Sequence, residues 1–413
     1  MSSFFLLIAG LLTYFGVAQR TRNMFAPCAL MCLFWFVAAA IADMASLKDP
    51  SLQRPWELET YGAIFLSGLS VFTVGFLGAV PSRPSQFVSN PSIWFRRVLD
   101  ILFICSIAAV ALRLYLFGFS PEKLLMSMAG GDIKAERSDA IPGVHYFEIL
   151  TPYLCLCALY ELHCANNLSP SRRRALKWYA FYAIALYCVV FSASRGTLLI
   201  VISGAMFLYA QSGRLKSIHL IFLGCAVVAL MSALSFLRMS AGTVANSFLG
   251  DQALQTFFSP IYTYVAFNFE NLNSLIRSDT SHTYVFYSLK FLLWPFLKND
   301  YESGLIRLTN FDTLFFNART YLYPFYHDLG IFGCVLYPTL IALLLVKLQD
   351  SASRDKSKIL MLMGLQKPIW FAFFGNYFFG ELVLLVPLLV MYILSLLYRI
   401  GNDAQTRISG PAE

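Results

Sequence analysis

Long apolar segments alternate with short polar connections along almost the whole 413-residue chain. A helix of about 20 apolar residues spans a bilayer, and segments of that kind recur about eleven times. In lipid, a chain can satisfy its backbone polar groups within one segment only as a helix. The pattern predicts an all-α polytopic integral membrane protein, with one membrane domain over residues 1–413. The predicted spans are 3–19, 24–45, 60–80, 98–118, 146–164, 178–194, 196–211, 217–237, 329–347, 359–378 and 380–399.

The distribution of charge predicts an orientation for these spans. Only 13% of the residues are charged and 58% are hydrophobic, which excludes a soluble globular protein. The net charge of +8 comes mostly from Lys and Arg in short connections on one side. Cytoplasmic loops carry such an excess, so the N-terminus is predicted outside and the C-terminus inside. Anionic lipid accounts for these basic loops, and no nucleic-acid partner is predicted.

The stretch 238–328 becomes a large outer, periplasmic loop region before the last three spans. Its aromatic segments 262–269 and 284–296 predict amphipathic helices that lie on the membrane surface. The nine cysteines lie in or against apolar segments, so no disulfide framework is expected in the outer loops. Cys155 and Cys157 point to opposite sides of a helix, and no metal or cofactor is predicted.

Two short outer connections carry candidate chemistry. In residues 129–146, Arg137 is predicted to point toward an anion that His145 helps to place, although an ordinary solvated loop fits the same pattern. In the hairpin 191–197, Arg195 stands beside a helix start, where free N–H groups favour phosphate. The alternative is that Arg195 extends to the lipid headgroups.

The long outer region supplies the third set of candidates and ends with the polar, aromatic run Asn317–Gly333. Arginine forms forked hydrogen bonds to phosphate oxygens, and aromatic side chains offer faces to sugar rings. Together these places predict a site for a lipid-linked pyrophosphate sugar, open to the outside. Its predicted binding residues are Arg195, Arg319, Arg137, Arg277, Arg238, Tyr321, Tyr326 and Asn317.

Two motifs carry a family resemblance. The Ser194-Arg195-Gly196 hairpin and the run from Asn317 through Asp328 to Gly330 and Gly333 resemble bacterial O-antigen polymerases. The general layout, with the largest outer loop before the last three spans, is similar too. The resemblance implies an inner-membrane glycosyltransferase without metal or cofactor. Such an enzyme transfers a growing glycan from undecaprenyl pyrophosphate to a new lipid-linked repeat unit. The resemblance also implies a chain-length regulator as partner.

The resemblance also implies roles for the candidates. Arg195 and Arg319 come first for the pyrophosphate, and Arg137 and Arg277 come second. The candidates for accepting a proton or orienting the acceptor are His327, His145, Asp328 and Glu270. Asp328 could instead cap the helix that follows it, and His327 could be an interfacial polar residue.

Two other functions stay open. O-antigen ligases carry a His-Asn pair shortly before the corresponding Gly-x-x-Gly helix, whereas this chain has Arg319-Thr320 there. A flippase or transporter of lipid-linked sugar is expected to show internal repeats and polar groups near the bilayer midplane. Here the polar groups cluster at the predicted outer face, which favours the polymerase.

Overall fold

A computed structural model describes residues 2–48, 53–81, 91–116, 143–165, 168–190, 195–212, 253–278, 282–303, 319–375, 378 and 382–409. These residues are predominantly helical, and none of them is in a β-strand. The helices are α1 (Ser2–Thr21), α2 (Pro27–Lys48), α3 (Leu58–Leu77), α4 (Ile93–Leu116), α5 (Val144–Cys164), α6 (Pro170–Val190), α7 (Arg195–Gln211), α8 (Ala253–Arg277), α9 (Lys290–Glu302), α10 (Leu322–Arg354), α11 (Ile359–Trp370) and α12 (Leu382–Ser409), with a 3-10 turn at Lys356–Lys358.

Several helices have the length and composition of membrane spans. Within the described ranges, four qualify: α1, Pro27–Met44 of α2, α3 and α10. Helix α1 also exposes large apolar side chains, with Phe5 66% and Leu12 68% exposed, as a lipid-facing helix does. The chain is thus a membrane-embedded, all-helical protein. Every predicted span overlaps a helix except 217–237, which lies outside the described residues.

Some helices differ from the prediction. All residues from Val265 to Asn273 are buried, so this part of α8 is enclosed by other segments of the protein and presents no exposed polar face. Its polar residues are used inside the protein: the Asn273 side-chain oxygen accepts a hydrogen bond from Thr60 at 2.8 Å. In the second predicted amphipathic segment, 284–296, helix begins only at Lys290. Helix α11 ends at Trp370, before the end of the predicted span.

The chain divides into two compact units. The first consists of Met1–Arg83, Phe258–Ser353 and Lys367–Leu385, and the second consists of Pro84–Phe257, Arg354–Gln366 and Val386–Glu413. In the first unit, α1, α2 and α3 pack against one another. The buried Trp35 indole joins two of these helices, because its N–H donates to the Ile64 carbonyl at 3.0 Å.

The second unit is organised around α5, which packs against α4, α6 and α7. Arg172 at the start of α6 contacts both Asp100 oxygens at 2.6 and 2.7 Å and the fully buried Glu161 at 2.8 Å. Arg96 also contacts Glu161, at 3.0 Å. A buried carboxylate needs such partners, so this cluster fixes α4, α5 and α6 to one another. All four residues lie near the predicted cytoplasmic ends of their helices.

Candidate functional site

Asp328 anchors a turn in the first unit. Its fully buried carboxylate accepts hydrogen bonds from the Thr283 hydroxyl at 2.7 Å and from the backbone N–H groups of Tyr287 at 2.9 Å and Ser288 at 2.8 Å. The sequence left open a capping role for Asp328 on the helix that follows it. The structure instead shows it capping the turn at 284–289, which precedes α9.

His327 is buried beside this anchor. Its Nδ1 lies 3.0 Å from the Thr283 hydroxyl oxygen, and its carbonyl accepts from the Thr283 N–H at 3.1 Å. The ring packs against Tyr287, with 4.9 Å between ring centroids. With 1% of its surface exposed, His327 positions the turn around Thr283 and offers little of its ring to solvent.

Arg319 is half-buried and, with Tyr287, Tyr323 and His327, forms what we call the Arg319 cluster. Its guanidinium stacks over the Tyr323 ring at 5.0 Å, and Nη1 donates to the Tyr287 hydroxyl at 3.1 Å. Tyr287 therefore contacts both Arg319 and His327. Stacking on aromatic rings holds the guanidinium plane in place while leaving its charge intact, which suits recognition of an anion.

His282 is an exposed imidazole at this site that sequence reasoning missed. Its ring meets the Tyr326 ring edge-on, with 6.1 Å between centroids. It also approaches Gly330 so closely that a Cβ on Gly330 would lie 3.0 Å from His282 Nε2. An exposed histidine can exchange protons with a bound molecule, which the buried His327 cannot do as readily.

The Gly-x-x-Gly motif has a structural explanation. Helix α10 is broken at Leu329 and Gly330, and Gly330 has φ 58° and ψ −143°, a conformation open essentially to glycine alone. A Cβ on Gly333 would lie 2.1 Å from the Phe325 carbonyl oxygen. The two glycines therefore allow the buried piece before the break to pack tightly against the long helix after it.

Two predicted sugar-binding tyrosines occupy different environments. The Tyr326 hydroxyl donates to Glu59 Oε1 at 2.7 Å, at the start of α3. Tyr321 is fully buried and meets Trp35 edge-on, with 4.9 Å between ring centroids. Its position is that of a core residue, whereas Tyr326 borders the exposed His282.

Glu270 and Arg277 lie on α8 against the segment that precedes α3. Glu270 is 3% exposed, and its Oε2 accepts from the Arg54 N–H at 3.2 Å. Burial raises the pKa of the Glu270 carboxyl, against the opposing effect of that N–H. Arg277 pairs with Glu57 at 2.7 Å and donates to the Pro55 carbonyl at 2.8 Å. Its charge is thus largely matched by a carboxylate.

The remaining predicted residues are elsewhere in the chain. His145, near the start of α5 in the second unit, has its Nδ1 3.4 Å from Glu148 Oε2. Arg195 begins α7, and its side chain is outside the described part of the structure. Arg137, Arg238 and Asn317 also lie outside the described residues.

The structure brings Arg319, Tyr326, His327 and Asp328 together and adds residues that the sequence did not single out. These are Glu59, His282, Thr283 and Tyr287. The run from Thr280 to Tyr287 carries three serine or threonine residues, a histidine and two tyrosines, a polar signal that could have indicated the turn. In the described residues, no group of three or more His, Cys, Asp and Glu side chains could hold a metal ion.

Neither protein-family models nor curated proteins nor solved structures give a match to this chain.

Proposed function

We propose that the protein is a membrane glycosyltransferase that polymerises undecaprenyl-pyrophosphate-linked repeat units into O-antigen or a related surface polysaccharide. The observation that carries the proposal is the placement of Arg319, stacked on Tyr323 and bonded to Tyr287. A fixed cation among several aromatic rings suits a substrate that contains both pyrophosphate and sugar.

The proposed reaction places these groups in complementary roles. The acceptor hydroxyl oxygen forms a bond to the anomeric carbon of the donor glycan, and the bond from that carbon to the pyrophosphate oxygen breaks. Arg319 stabilises the negative charge on the departing lipid pyrophosphate. A base accepts the hydroxyl proton, and His282 is the exposed imidazole available for that step. His327 and Asp328 are positioning residues, since they hold the turn that carries Thr283 and Tyr287.

The proposed setting follows the resemblance and the charge pattern. The enzyme crosses the bacterial inner membrane many times, with its N-terminus and the region 238–328 in the periplasm and its C-terminus in the cytoplasm. Donor and acceptor are lipid-linked oligosaccharides within the bilayer. A separate chain-length regulator is the protein partner expected for this class.

The test is a gel of surface glycolipid from the source organism after deletion and complementation of the gene. Deletion is expected to abolish the polysaccharide ladder and to retain a band with a single repeat unit. Wild-type protein and the control Arg20→Ala, an exposed residue at the end of α1, should restore the ladder. Arg319→Ala should accumulate in the membrane without restoring it.

The other outcomes distinguish the rival functions. Loss of every glycan-bearing band would point to a ligase or a flippase, because both act on all exported units. An unchanged ladder in the deletion strain would remove the protein from this pathway. Full activity of Arg319→Ala would overturn the role of Arg319.

A further inference from the structure

The segment Gln53–Glu57 runs ahead of α3 and is held against α8 by its main chain. The N–H groups of Arg54 and Glu57 and the carbonyl of Pro55 all bond side chains of α8, at 3.2, 3.2 and 2.8 Å. These bonds fix the backbone without using the side chains of Gln53 or Trp56. The backbone contacts therefore fix the positions of the Gln53 and Trp56 side chains and leave their polar atoms unused.

Gln53 is fully buried, and neither its Oε1 nor its Nε2 has a hydrogen-bond partner in the described structure. The Trp56 indole, 7% exposed, has an N–H without a partner as well. Nearly all buried polar groups in folded proteins are hydrogen-bonded, because each unsatisfied group costs about 1–3 kcal/mol. Three such atoms within four residues leave hydrogen-bonding capacity that a bound molecule can use.

The chemistry of the surroundings indicates which molecule. The Trp56 ring packs against Phe269 and Tyr61, with centroids 5.5 and 5.3 Å away, so an aromatic group accompanies the amide. Glu270 contributes a buried carboxyl, which accepts from the Arg54 backbone N–H and disfavours a bound anion. The nearby Arg277 is already paired with Glu57. An amide, an indole N–H and a carboxyl satisfy the hydroxyls of a neutral sugar, while aromatic rings contact its C–H groups.

We infer that Gln53, Trp56 and Glu270 form a subsite for a neutral sugar ring, separate from the Arg319 cluster. The identification of that sugar as part of the acceptor glycan rests on the proposed function, whereas sugar binding itself does not. The division assigns the pyrophosphate to Arg319 and a polyhydroxylated ring to the segment before α3.

The experiment measures sugar binding to the purified full-length protein in detergent, by saturation-transfer difference NMR. The probes are glucose, galactose, rhamnose and N-acetylglucosamine at millimolar concentration, with glycerol as the control for non-specific hydroxyl contacts. At least one sugar should bind. Gln53→Leu should weaken that binding about tenfold, the effect of about one lost hydrogen bond. The same substitution should raise the melting temperature, because it replaces an unsatisfied buried amide with an apolar side chain.

Trp56→Phe keeps an aromatic ring, removes the indole N–H and should also weaken binding. Trp94→Phe, an exposed indole of the second unit, is the matched control and should bind as wild type. The inference is overturned if none of the sugars binds, if both subsite variants bind like wild type, or if Gln53→Leu lowers the melting temperature.

The outcomes also separate the two proposals. Sugar binding that depends on Gln53, together with an unchanged polysaccharide ladder in the deletion strain, would retain the subsite and reject the polymerase. A lost ladder with no sugar binding would retain the polymerase and reject the subsite.

Discussion

The Tyr326 hydroxyl donates a 2.7 Å hydrogen bond to Glu59 Oε1 across 267 positions of sequence. This bond ties the aromatic run before the Gly-x-x-Gly motif to the start of α3. The segment before α3 in turn contacts α8 through Glu57 and Arg277. Through Glu57 and Glu59, the start of α3 therefore connects the aromatic run before the motif to α8.

We expect Tyr326→Phe and Glu59→Gln to be coupled in stability. A neutral or charge-assisted hydrogen bond of this kind contributes about 1 kcal/mol, so a double-mutant cycle should give a coupling energy of that size. Chemical denaturation in detergent measures it. The pair Tyr326→Phe and Glu302→Gln is the control, because Glu302 lies on α9 in an exposed ion pair with Lys298. Full additivity of the first pair would show that the bond is not populated.

Asp328→Ala should destabilise the protein strongly. It leaves the N–H groups of Tyr287 and Ser288 without their acceptor, at a cost of about 2–5 kcal/mol for the pair. The level of protein in the membrane and the melting temperature should both fall, and Glu302→Ala should change neither. A variant with wild-type melting temperature and no activity would instead assign Asp328 to the chemistry.

Gly330→Ala should be destabilising by about 1–3 kcal/mol, because alanine disfavours the backbone conformation at this break. The new Cβ would also lie 3.0 Å from His282 Nε2. Adding His282→Ala to the Gly330→Ala variant should recover only the part of the lost stability that comes from the steric contact. Gly62→Ala is the control, since its Cβ would meet only Ile331, at 4.0 Å. Equal melting temperatures for the two alanine variants would contradict the conformation of Gly330.

Glu270→Gln should change how stability depends on pH. Burial raises the pKa of the Glu270 carboxyl above its ordinary value of 4.5, so the folded protein binds this proton more tightly than the unfolded chain. Wild-type stability should therefore fall as pH rises through the interval above 4.5. Glutamine does not titrate there, and it retains an oxygen for the Arg54 N–H.

The difference in melting temperature, variant minus wild type, should accordingly grow from pH 4.5 to neutral pH. Glu302→Gln, on the exposed face of α9, is the control. A difference that stays constant or shrinks over this range would show that Glu270 does not have a raised pKa.

Much of the fold follows from hydropathy, because lipid imposes helices on apolar segments. The positions of α1, α2 and α3 were predictable to within a few residues for that reason. The enclosure of α8 was not predictable, because the aromatic segment 262–269 indicated an amphipathic helix on the membrane surface. In the structure Asn273 and Glu270 instead bond the segment before α3. Such partners are more than two hundred residues away and leave no local pattern.

Of the candidate site, only the residues from Arg319 to Asp328 were predictable from the sequence. The run that contains Arg319, Tyr326 and Asp328 is locally conspicuous, because it gathers charged and aromatic residues directly before an apolar helix. The turn at Thr283 and Tyr287 becomes part of the site only through side-chain hydrogen bonds to Asp328 and Arg319. Those bonds depend on tertiary packing, which the sequence pattern does not specify.

The anchoring of Asp328 has a consequence for biogenesis. A buried carboxylate without partners is costly, so the part of α10 around Asp328 cannot reach its packed position before those partners are present. Its partners, Thr283, Tyr287 and Ser288, precede it in the chain and are already synthesised when Asp328 emerges. Synthesis of the residues around Asp328 is therefore the step that allows the turn at 284–289 to close, and a chain truncated before residue 328 would leave that turn without its acceptor.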